Sequence, residues 1–417
     1  MRASRVAGAL ALLVAGCGDG SAGADDAGPD GGRDAATDGG GDDASPPRDG
    51  GSGDAAGGDG GTEDGGTGTP DPVPERFRFC DDGAGGTVTE ASPSDYRSKL
   101  EAMSPGDTLR LSAGTYDQGL PIRDMNGSEG SCFVIDGPSS GEAAVFTGSS
   151  SRNTVSIVDS SYVVVRNLEL DGIGEVGDGV KAEGTAEYAH HIVLEGLRIH
   201  DHDASQQIVG ISTKCPAWRW VIRDSHIEST GTGLYLGNSD GNDPFVDGLV
   251  EHNVVLDTLG YNMQIKHQNP RPDIDGLPEA GTTIIRHNVF SKQNDANGGS
   301  QSRPNLLVGH FPTSGSGVDD QYLIYGNFFY DNPVEALFQG EGNVALYANV
   351  MLNPNGPGLH IQPHNDVPKR IHVFFNTIVA DGRGIRVSGA DTSFEQIVAG
   401  NAVFADPLID GGEQRDN

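Results

Sequence analysis

Short stretches of alternating apolar and variable residues recur along the second half of the chain. Each begins with glycine or asparagine, and apolar positions then alternate with variable ones, which is the period of a β-strand and not of a helix. The stretches are 210–215, 233–238, 262–267, 305–310, 358–363 and 384–389. Strands that recur at irregular intervals predict a β-solenoid, in which each coil needs a neighbour above and below to bury its apolar face.

A second pattern places one polar residue in a fixed slot between two apolar positions. The slot is filled by Asn253, Asn288, Asn327, Asn349, Asn376 and Asn401, and upstream by Ser225, Leu197 and Leu168. Buried amides must have hydrogen-bond partners, and identical amides stacked coil over coil can supply them to each other. The pattern therefore predicts a buried asparagine ladder.

The N-terminal end of the predicted solenoid has a candidate cap. Ser92 and Pro93 can start a short helix that places Tyr96, Leu100 and Met103 on one side, and the sequence at 104–106 ends it. The alternative is an ordinary surface helix. No comparable cap is visible in the sequence after residues 405–407.

The body, residues 76–417, resembles the right-handed parallel β-helix superfamily of pectate-lyase-like proteins. The resemblance is carried by Pro-Gly-Asp-Thr-Leu-Arg-Leu at 105–111 and Gly-Thr-Tyr at 114–116, together with the repeated strands and the asparagine slot. It implies an all-β, single-stranded, right-handed parallel β-helix. Lyases, hydrolases, epimerases and non-catalytic adhesins share this scaffold, so the fold does not fix the activity.

The N-terminal residues predict export. Arg2 and Arg5 precede the apolar run 6–15, which is too short for a membrane span. Val-Ala-Gly-Cys at 14–17 is similar to the lipobox of bacterial lipoproteins. The resemblance implies that residues 1–16 are a signal peptide, that Cys17 is lipidated, and that the protein lies in the bacterial cell envelope, at the outer membrane or cell surface. The alternative is cleavage without lipidation.

Residues 17–75 are rich in glycine, aspartate and alanine and have no aromatic residue, which predicts a disordered acidic tether. The formal net charge of the chain is −33, and the body shares this acidity. We expect no nucleic-acid partner, because phosphate binding needs a basic surface. Membrane contact is expected through the lipid anchor only, and the protein is expected to be a monomer.

Three cysteines remain in the body. Cys80 and Cys132 both fall in the first coils and can pair, which leaves Cys215 as a buried thiol, but the sequence does not fix the connectivity. No Cys-x-x-Cys spacing occurs, so a zinc or redox site of that type is not expected.

Strand alternation sends every second side chain outward, and stacked strands bring these side chains into columns. Glycines leave room around Lys266, and aromatic residues offer flat surfaces for sugar rings, so we predict an elongated groove for a polymer. The third positions form one outward column, Ser212, Tyr235, Gln264, Leu307, Phe338, His360 and Arg386. The fifth positions form another, Lys214, Gly237, Lys266, Gly309, Gly340, Gln362 and Ser388. The predicted substrate-binding residues are Tyr235, Gln264, Phe338, Glu341, His360, Gln362, His364 and Arg386.

Eliminative cleavage of a uronic acid polymer needs a base, a means of neutralising the carboxylate, and an acid for the leaving oxygen. Lys266 flanked by His267 and His310 fits this chemistry, and its strand resembles the lysine-bearing strand of the chondroitinase B and alginate lyase group. That resemblance implies that Lys266 is the base. The group's arginine on the next coil is replaced here by Gly309 or His310, and its acidic calcium ligands by residues 259–262. Calcium is therefore a candidate cofactor whose expected ligands are not found.

We predict a surface-anchored polysaccharide lyase, with polysaccharide as its partner. One alternative is a β-helix glycoside hydrolase using Glu335 and Glu341; another is a non-catalytic glycan-binding surface lipoprotein or adhesin. Residues 200–203 place two histidines on one face and are one candidate metal site, and Asp240, Asp243 and Asp247 are a candidate calcium site. The alternative for both is a solvated polar segment, and no metal site is assigned.

Overall fold

The computed structural model describes residues 71–80 and 85–417 of the protein. Over these residues the chain winds in successive coils, and each complete coil adds one short strand to each of three parallel sheets, which we call A, B and C. Each strand pairs in parallel with its counterpart in the neighbouring coils. The fold is the right-handed parallel β-helix that the sequence predicts.

Sheet A has 15 strands and sheets B and C have 11 each. The strands of sheet A are Val88–Ala91, Thr108–Leu111, Phe133–Asp136, Ser160–Arg166, Ala189–Glu195, Ala217–Trp218, Val221–Arg223, Phe245–Val246, Leu249–Glu251, Thr282–Arg286, Gln321–Tyr325, Val344–Tyr347, Ile371–Phe374, Gln396–Ala399 and Glu413–Arg415. Those of sheet B are Gly114–Tyr116, Ala144–Thr147, Leu168–Asp171, Arg198–His200, His226–Glu228, Val254–Leu256, Val289–Ser291, Phe328–Tyr330, Val350–Asn353, Thr377–Ala380 and Ala402–Phe404. Those of sheet C are Leu120–Arg123, Val155–Val158, Val180–Glu183, Val209–Thr213, Thr232–Leu236, Met263–Ile265, Leu306–Val308, Phe338–Gly340, Leu359–Ile361, Ile385–Val387 and Ile409–Asp410.

The described helices are short. They are one α-helix, Tyr96–Leu100, and two 3₁₀ turns, Glu75–Phe77 and Gly299–Gln301. The α-helix is the predicted N-terminal cap: Tyr96 and Leu100 are buried, and the Tyr96 ring packs edge-on against Tyr116 and Phe146 at 5.1 and 5.7 Å. Within residues 71–80 and 85–417, no helix has the length and apolar character needed to cross a bilayer.

The predicted asparagine ladder is present between sheets A and B. The side-chain amide of each member donates to the amide oxygen of the next member at 2.8 to 3.0 Å, and it also donates to a backbone carbonyl of the preceding coil. The ladder runs through Asn253, Asn288, Asn327, Asn349, Asn376, Asn401 and Asn417. Ser225 continues it upstream, because its backbone N–H donates to the Asn253 amide oxygen at 3.1 Å.

The residue before each ladder asparagine makes the sharp turn from sheet A to sheet B. His252, His287 and Phe375 all have φ of 56° there, in the left-handed region that L-residues rarely adopt. The conformational free energy that this positive φ costs in each coil is offset by the hydrogen bonds of the asparagine that follows. The turn and the ladder therefore act as one structural unit.

A segment that we call the N-terminal strap, residues 71–80, lies across the outer face of sheet A. Its Phe77 and Phe79 are buried against an outward apolar column of sheet A, namely Val134, Val164, Val193, Val221, Leu249 and Ile284. A disulfide joins Cys80 to Cys132, and Cys215 is a buried free thiol. The folded body therefore includes residues 71–75, which we assigned to the tether, since Val73 packs in the same cluster and Arg286 donates to the backbone of Asp71 and Pro72.

Candidate functional site

The outer face of sheet C carries the residues that the sequence brought together. Cα register places one outward column along it, in the order Ser212, Tyr235, Gln264, Leu307, Gln339, His360 and Arg386. Two residues further along each strand, a second column contains Lys214, Gly237, Lys266, Gly309, Glu341 and Gln362, joined by backbone hydrogen bonds between the coils. Residues far apart in sequence therefore share one surface, as predicted.

Several of these outward residues are nevertheless buried. Ser212, Gln264, Leu307 and Lys266 are only 0, 2, 3 and 5 % exposed. A side chain on the outside of a sheet becomes buried only when other parts of the chain rise beside it. We interpret the middle of sheet C as the floor of the predicted groove, and the turns at the two ends of its strands as the walls.

One wall consists of the turns that lead from sheet C to sheet A. The Asn269 side chain donates to the backbone oxygen of Asp240 at 2.7 Å, and Gln268 donates to that of Phe245 at 3.1 Å. Arg271 and Asp320 form a buried ion pair that joins the two longest turns of this wall. The segments 268–281 and 311–320 are thus held to each other, and long loops fixed to a rigid scaffold commonly carry binding residues.

The other wall consists of the turns that lead from sheet B to sheet C. The long turn 292–305 is fastened to an earlier coil, since the Asn297 amide donates to the Gln206 side-chain oxygen at 2.9 Å. The guanidinium of Arg303 lies 5.8 Å from the centre of the Tyr261 ring.

Two lysines converge on one aromatic ring at the centre of the groove. The ammonium nitrogens of Lys214 and Lys266 lie 3.8 and 6.0 Å from the centre of the Tyr235 ring. Gly237 stands between the two lysines in their column, and a Cβ there would lie 3.3 Å from the Cβ of Lys266. The missing side chain keeps the space between the ammonium groups open.

Lys214 is a functional candidate that we did not select from the sequence. Burial, together with the charges of Lys181 and Lys266, lowers the pKa of its ammonium to about 8, against the opposing effect of Asp178 and Asp243. The signal was present in the sequence, because Lys214 occupies the same predicted column as Lys266.

His267 and His310 stack beside Lys266, with ring centres 5.3 Å apart. His310 Nδ1 lies 2.9 Å from the backbone oxygen of Phe311, so this nitrogen is the donor and Nε2 is left for other contacts. Gly309 makes the approach possible: a Cβ there would lie 2.3 Å from the backbone nitrogen of His267 and 2.8 Å from the carbonyl carbon of Lys266. The three predicted catalytic residues are therefore neighbours.

Gln264 lies on the groove floor between Tyr235 and Leu307. It is 2 % exposed, and its side-chain amide can both donate and accept hydrogen bonds. Gln264 therefore places a polar group between an aromatic and an apolar residue of the floor.

Phe338 and Gly340 are corrections to the prediction. Phe338 aligns with Leu306 and Leu359, points into the core and is 0 % exposed. Gly340 also faces inward, and the Phe338 ring occupies the space that a Cβ at Gly340 would need. The prediction placed this strand one residue out of register, which exchanges its two faces. Gln339 takes the outward position, so Phe338 does not offer a surface to a sugar ring.

Glu341 is a second correction. Its carboxylate is buried and accepts hydrogen bonds from the backbone N–H groups of His364, Asn365 and Asp366 at 2.9 to 3.1 Å. It fastens a turn instead of facing the groove. The exposed His364, which we predicted as a substrate-binding residue, lies in that turn.

His360, Gln362 and Arg386 lie on the same outer face as Lys266 but further along the coil stack. His360 and Arg386 are aligned neighbours, and Gln362 follows His360 in the second column. The structure therefore brings the predicted residues into two groups. One surrounds Lys266, and the other lies towards the C-terminal coils.

The metal hypotheses concern other places. Of the residues that the structure describes, Asp171, His200 and Asp201 are the group whose ligand atoms lie within 4.8 Å of one another, on sheet B and not in the groove. Both ring nitrogens of His200 face carboxylates, with Asp201 at 2.8 Å and Glu169 at 3.1 Å. Burial alone would lower the pKa of His200, but these hydrogen bonds raise it above its ordinary value. The predicted lipidation site, Cys17, lies outside the described residues.

The comparisons with known proteins agree with the fold. No protein-family model matches the chain, and no curated protein matches it. Among solved structures it is similar to an alginate lyase from Paenibacillus sp. str. FPU-7, with 17 % identity over 79 % of this chain and 98 % of that chain and a TM-score of 0.53. It is also similar to a GH136 lacto-N-biosidase from Eubacterium ramulus (11 %, 79 % and 67 %, TM-score 0.50) and to a pectate lyase (12 %, 80 % and 80 %, TM-score 0.44). At these identities the likeness establishes the fold alone, a right-handed parallel β-helix.

Proposed function

We propose that this protein is a polysaccharide lyase that cleaves a uronate polymer by β-elimination in the groove of sheet C. The observation that carries the proposal is the pair of lysine ammonium groups around Tyr235, with Lys266 5 % exposed beside the stacked His267 and His310. A polyuronate needs local positive charge to approach a chain of net charge −33, and this cluster supplies it.

The roles follow from position. Lys266, in its neutral form, takes the proton from the ring carbon next to the carboxylate, and Lys214, in its charged form, neutralises that carboxylate as negative charge develops. The electron pair forms the ring double bond while the bond from the neighbouring ring carbon to the glycosidic oxygen breaks. His310, when protonated, supplies the proton that the leaving oxygen takes up. Gln264 donates to the carboxylate or to a sugar hydroxyl.

Alginate is a polyuronate, and the name of one similar structure, an alginate lyase, supports this substrate class. A hydrolase mechanism based on Glu335 and Glu341 is less well supported, because the Glu341 carboxylate binds backbone N–H groups and Glu335 Oε1 accepts from the N–H of Ala336 at 2.9 Å. A location in the cell envelope, through Cys17, remains part of the proposal and rests on the sequence.

The test is to incubate the full chain with alginate, pectate, a glycosaminoglycan and neutral glycans and to follow the ultraviolet absorbance of unsaturated uronate. One polyuronate should be cleaved, and Lys266→Ala should reduce kcat by about 100-fold or more. Lys99→Ala, which removes a lysine from the capping helix, should leave the rate unchanged. Cleavage without a rise in absorbance would indicate hydrolysis, and full activity in Lys266→Ala would reject the assigned base.

A further inference from the structure

A group of cationic and polar side chains lies at the far end of the same sheet. Arg386 aligns with His360 on the outer face of sheet C, and Arg383 precedes it in the turn from sheet B. Both arginines face a single carboxylate, Asp410, with Nε to Oδ2 distances of 3.6 and 4.0 Å. These distances are longer than those of hydrogen bonds, so the single carboxylate interacts only weakly with each of the two guanidinium groups.

The donors and acceptors of this group are incompletely used. The Nε atoms of Arg383 and Arg386 and Nε2 of His360 are buried, and none of the three has a hydrogen-bond partner among the described residues. Gln339 and Gln362, next to His360, are half-exposed, so their side-chain amides are open to solvent. Buried polar atoms without partners are rare in folded proteins and need an explanation.

The charge of the group is also unbalanced. Burial, together with the charges of Arg386 and Arg383, lowers the pKa of His360 to about 4, so the imidazole is neutral at physiological pH. Two guanidinium charges then face one carboxylate, in a chain whose net charge is −33. An oxyanion with two acceptor oxygens would satisfy both arginines, because the guanidinium fork matches that geometry.

We propose that Arg383 and Arg386 form a distal subsite for an oxyanion on a sugar ring, with His360 and Gln362 binding neighbouring hydroxyl groups. The inference rests on the proposed function, which makes the polymer a polyuronate. It adds that a second negative charge of the substrate is bound at a position remote from Lys266. Arg386 is four strands from Lys266, which at about 4.8 Å per strand is about 19 Å. A polymer bound at both places therefore extends over several sugar residues.

The test separates binding from cleavage by using the full chain with Lys266→Ala as background. Calorimetry would measure binding of the polyuronate identified above or, if none is cleaved, of alginate and pectate, next to a sulfated neutral glycan and an uncharged glycan. Adding Arg383→Gln and Arg386→Gln should weaken polyuronate binding by about tenfold or more and flatten its salt dependence, without affecting the uncharged glycan. Arg370→Gln, at an exposed arginine paired with Asp319, is the matched control.

Folding is checked by the thermal midpoint, and Arg386→Lys should restore charge but only part of the affinity. Unchanged polyuronate affinity in the double variant overturns the subsite, even if the polymer is cleaved at Lys266. Lost affinity in a protein that cleaves nothing supports the subsite and rejects the lyase proposal. Tighter binding of the sulfated glycan, lost in the same variant, assigns the subsite to sulfate, and the absence of any polyanion binding rejects both proposals.

Discussion

Lys214 shows how burial in the groove changes the chemistry of a single residue. Burial lowers the pKa of its ammonium from the ordinary 10.5 to about 8. A lysine that must be charged to neutralise the substrate carboxylate therefore loses its function as pH rises through about 8. The pH range of the proposed lyase should accordingly end well below the range of an exposed lysine.

We therefore predict that kcat/KM of the wild type falls above about pH 8, and that Lys214→Arg moves this fall to higher pH, because arginine stays charged. The measurement is a pH profile of kcat/KM on the cleaved polymer. Lys181→Arg is the matched control, since Lys181 lies on the same face and pairs with Glu183 at 3.0 Å. A fall that stays near pH 8 in Lys214→Arg would assign it to another group.

Gly309 permits the closest approach in the groove. Gly309→Ala would place a Cβ 2.3 Å from the backbone nitrogen of His267, so the strand that carries Lys266 has to move. We predict at least about a 100-fold loss of kcat together with a lower thermal midpoint, because small displacements of reacting groups are costly. Gly298→Ala, where the nearest atom is 3.8 Å away, should change neither quantity.

At the scale of elements, the asparagine ladder fastens consecutive coils. The Asn327 amide oxygen accepts from the backbone and side-chain nitrogens of Asn288 at 2.9 and 3.0 Å, and its nitrogen donates to Ile285 and Asn349. Asn327→Ala leaves several of these buried groups without partners. We predict a loss of at least about 3 kcal/mol in the free energy of unfolding, measured by denaturant titration.

Asn126→Ala provides the control for the ladder. The Asn126 side chain is exposed; its amide nitrogen donates to the backbone oxygen of Asp159, and its oxygen accepts from the Ser161 hydroxyl. Its removal should change the free energy of unfolding by about 1 kcal/mol or less. If the two variants were equally stable, the ladder would not be a source of stability.

The elements also show what the sequence could and could not predict. The ladder was predictable because one residue type recurs in one slot, and the face of Lys266 followed from strict alternation. The register of the strand Phe338–Gly340 was not predictable, because Ala336, Leu337 and Phe338 form an unbroken apolar run, which has no period of two. The role of Glu341 depends on backbone N–H groups of a turn, and a side-chain pattern does not reveal these.

At the scale of the whole molecule, the strap closes a surface that the coils leave open. Phe77 and Phe79 cover the outward apolar column of sheet A, and the disulfide between Cys80 and Cys132 holds one end in place. The sequence did not predict this contact, because the strap precedes the first strand and its partners extend as far as Ile284. Only the folded coil stack brings these partners together.

We predict that Phe77→Ala loosens the strap while the coil stack stays folded. The strap packs on the outside of sheet A, so its loss exposes apolar surface without breaking the hydrogen bonds between coils. Limited proteolysis should cut within residues 71–80, and binding of a hydrophobic dye should increase. Phe328→Ala, at a 39 % exposed phenylalanine of sheet B, is the control and should change neither. Loss of all strand signal in the circular dichroism of Phe77→Ala would show that the strap is part of the core.

The floor and the walls of the groove are built from different elements, and this affects how such a protein can acquire new substrates. The floor belongs to strands, whereas the walls belong to turns such as 268–281 that leave one coil and return to the next. Doubling the length of a flexible turn adds only about 0.6 kcal/mol of closure entropy. Natural or laboratory evolution can therefore exchange these turns, and with them the choice of glycan, while Lys214 and Lys266 keep their positions.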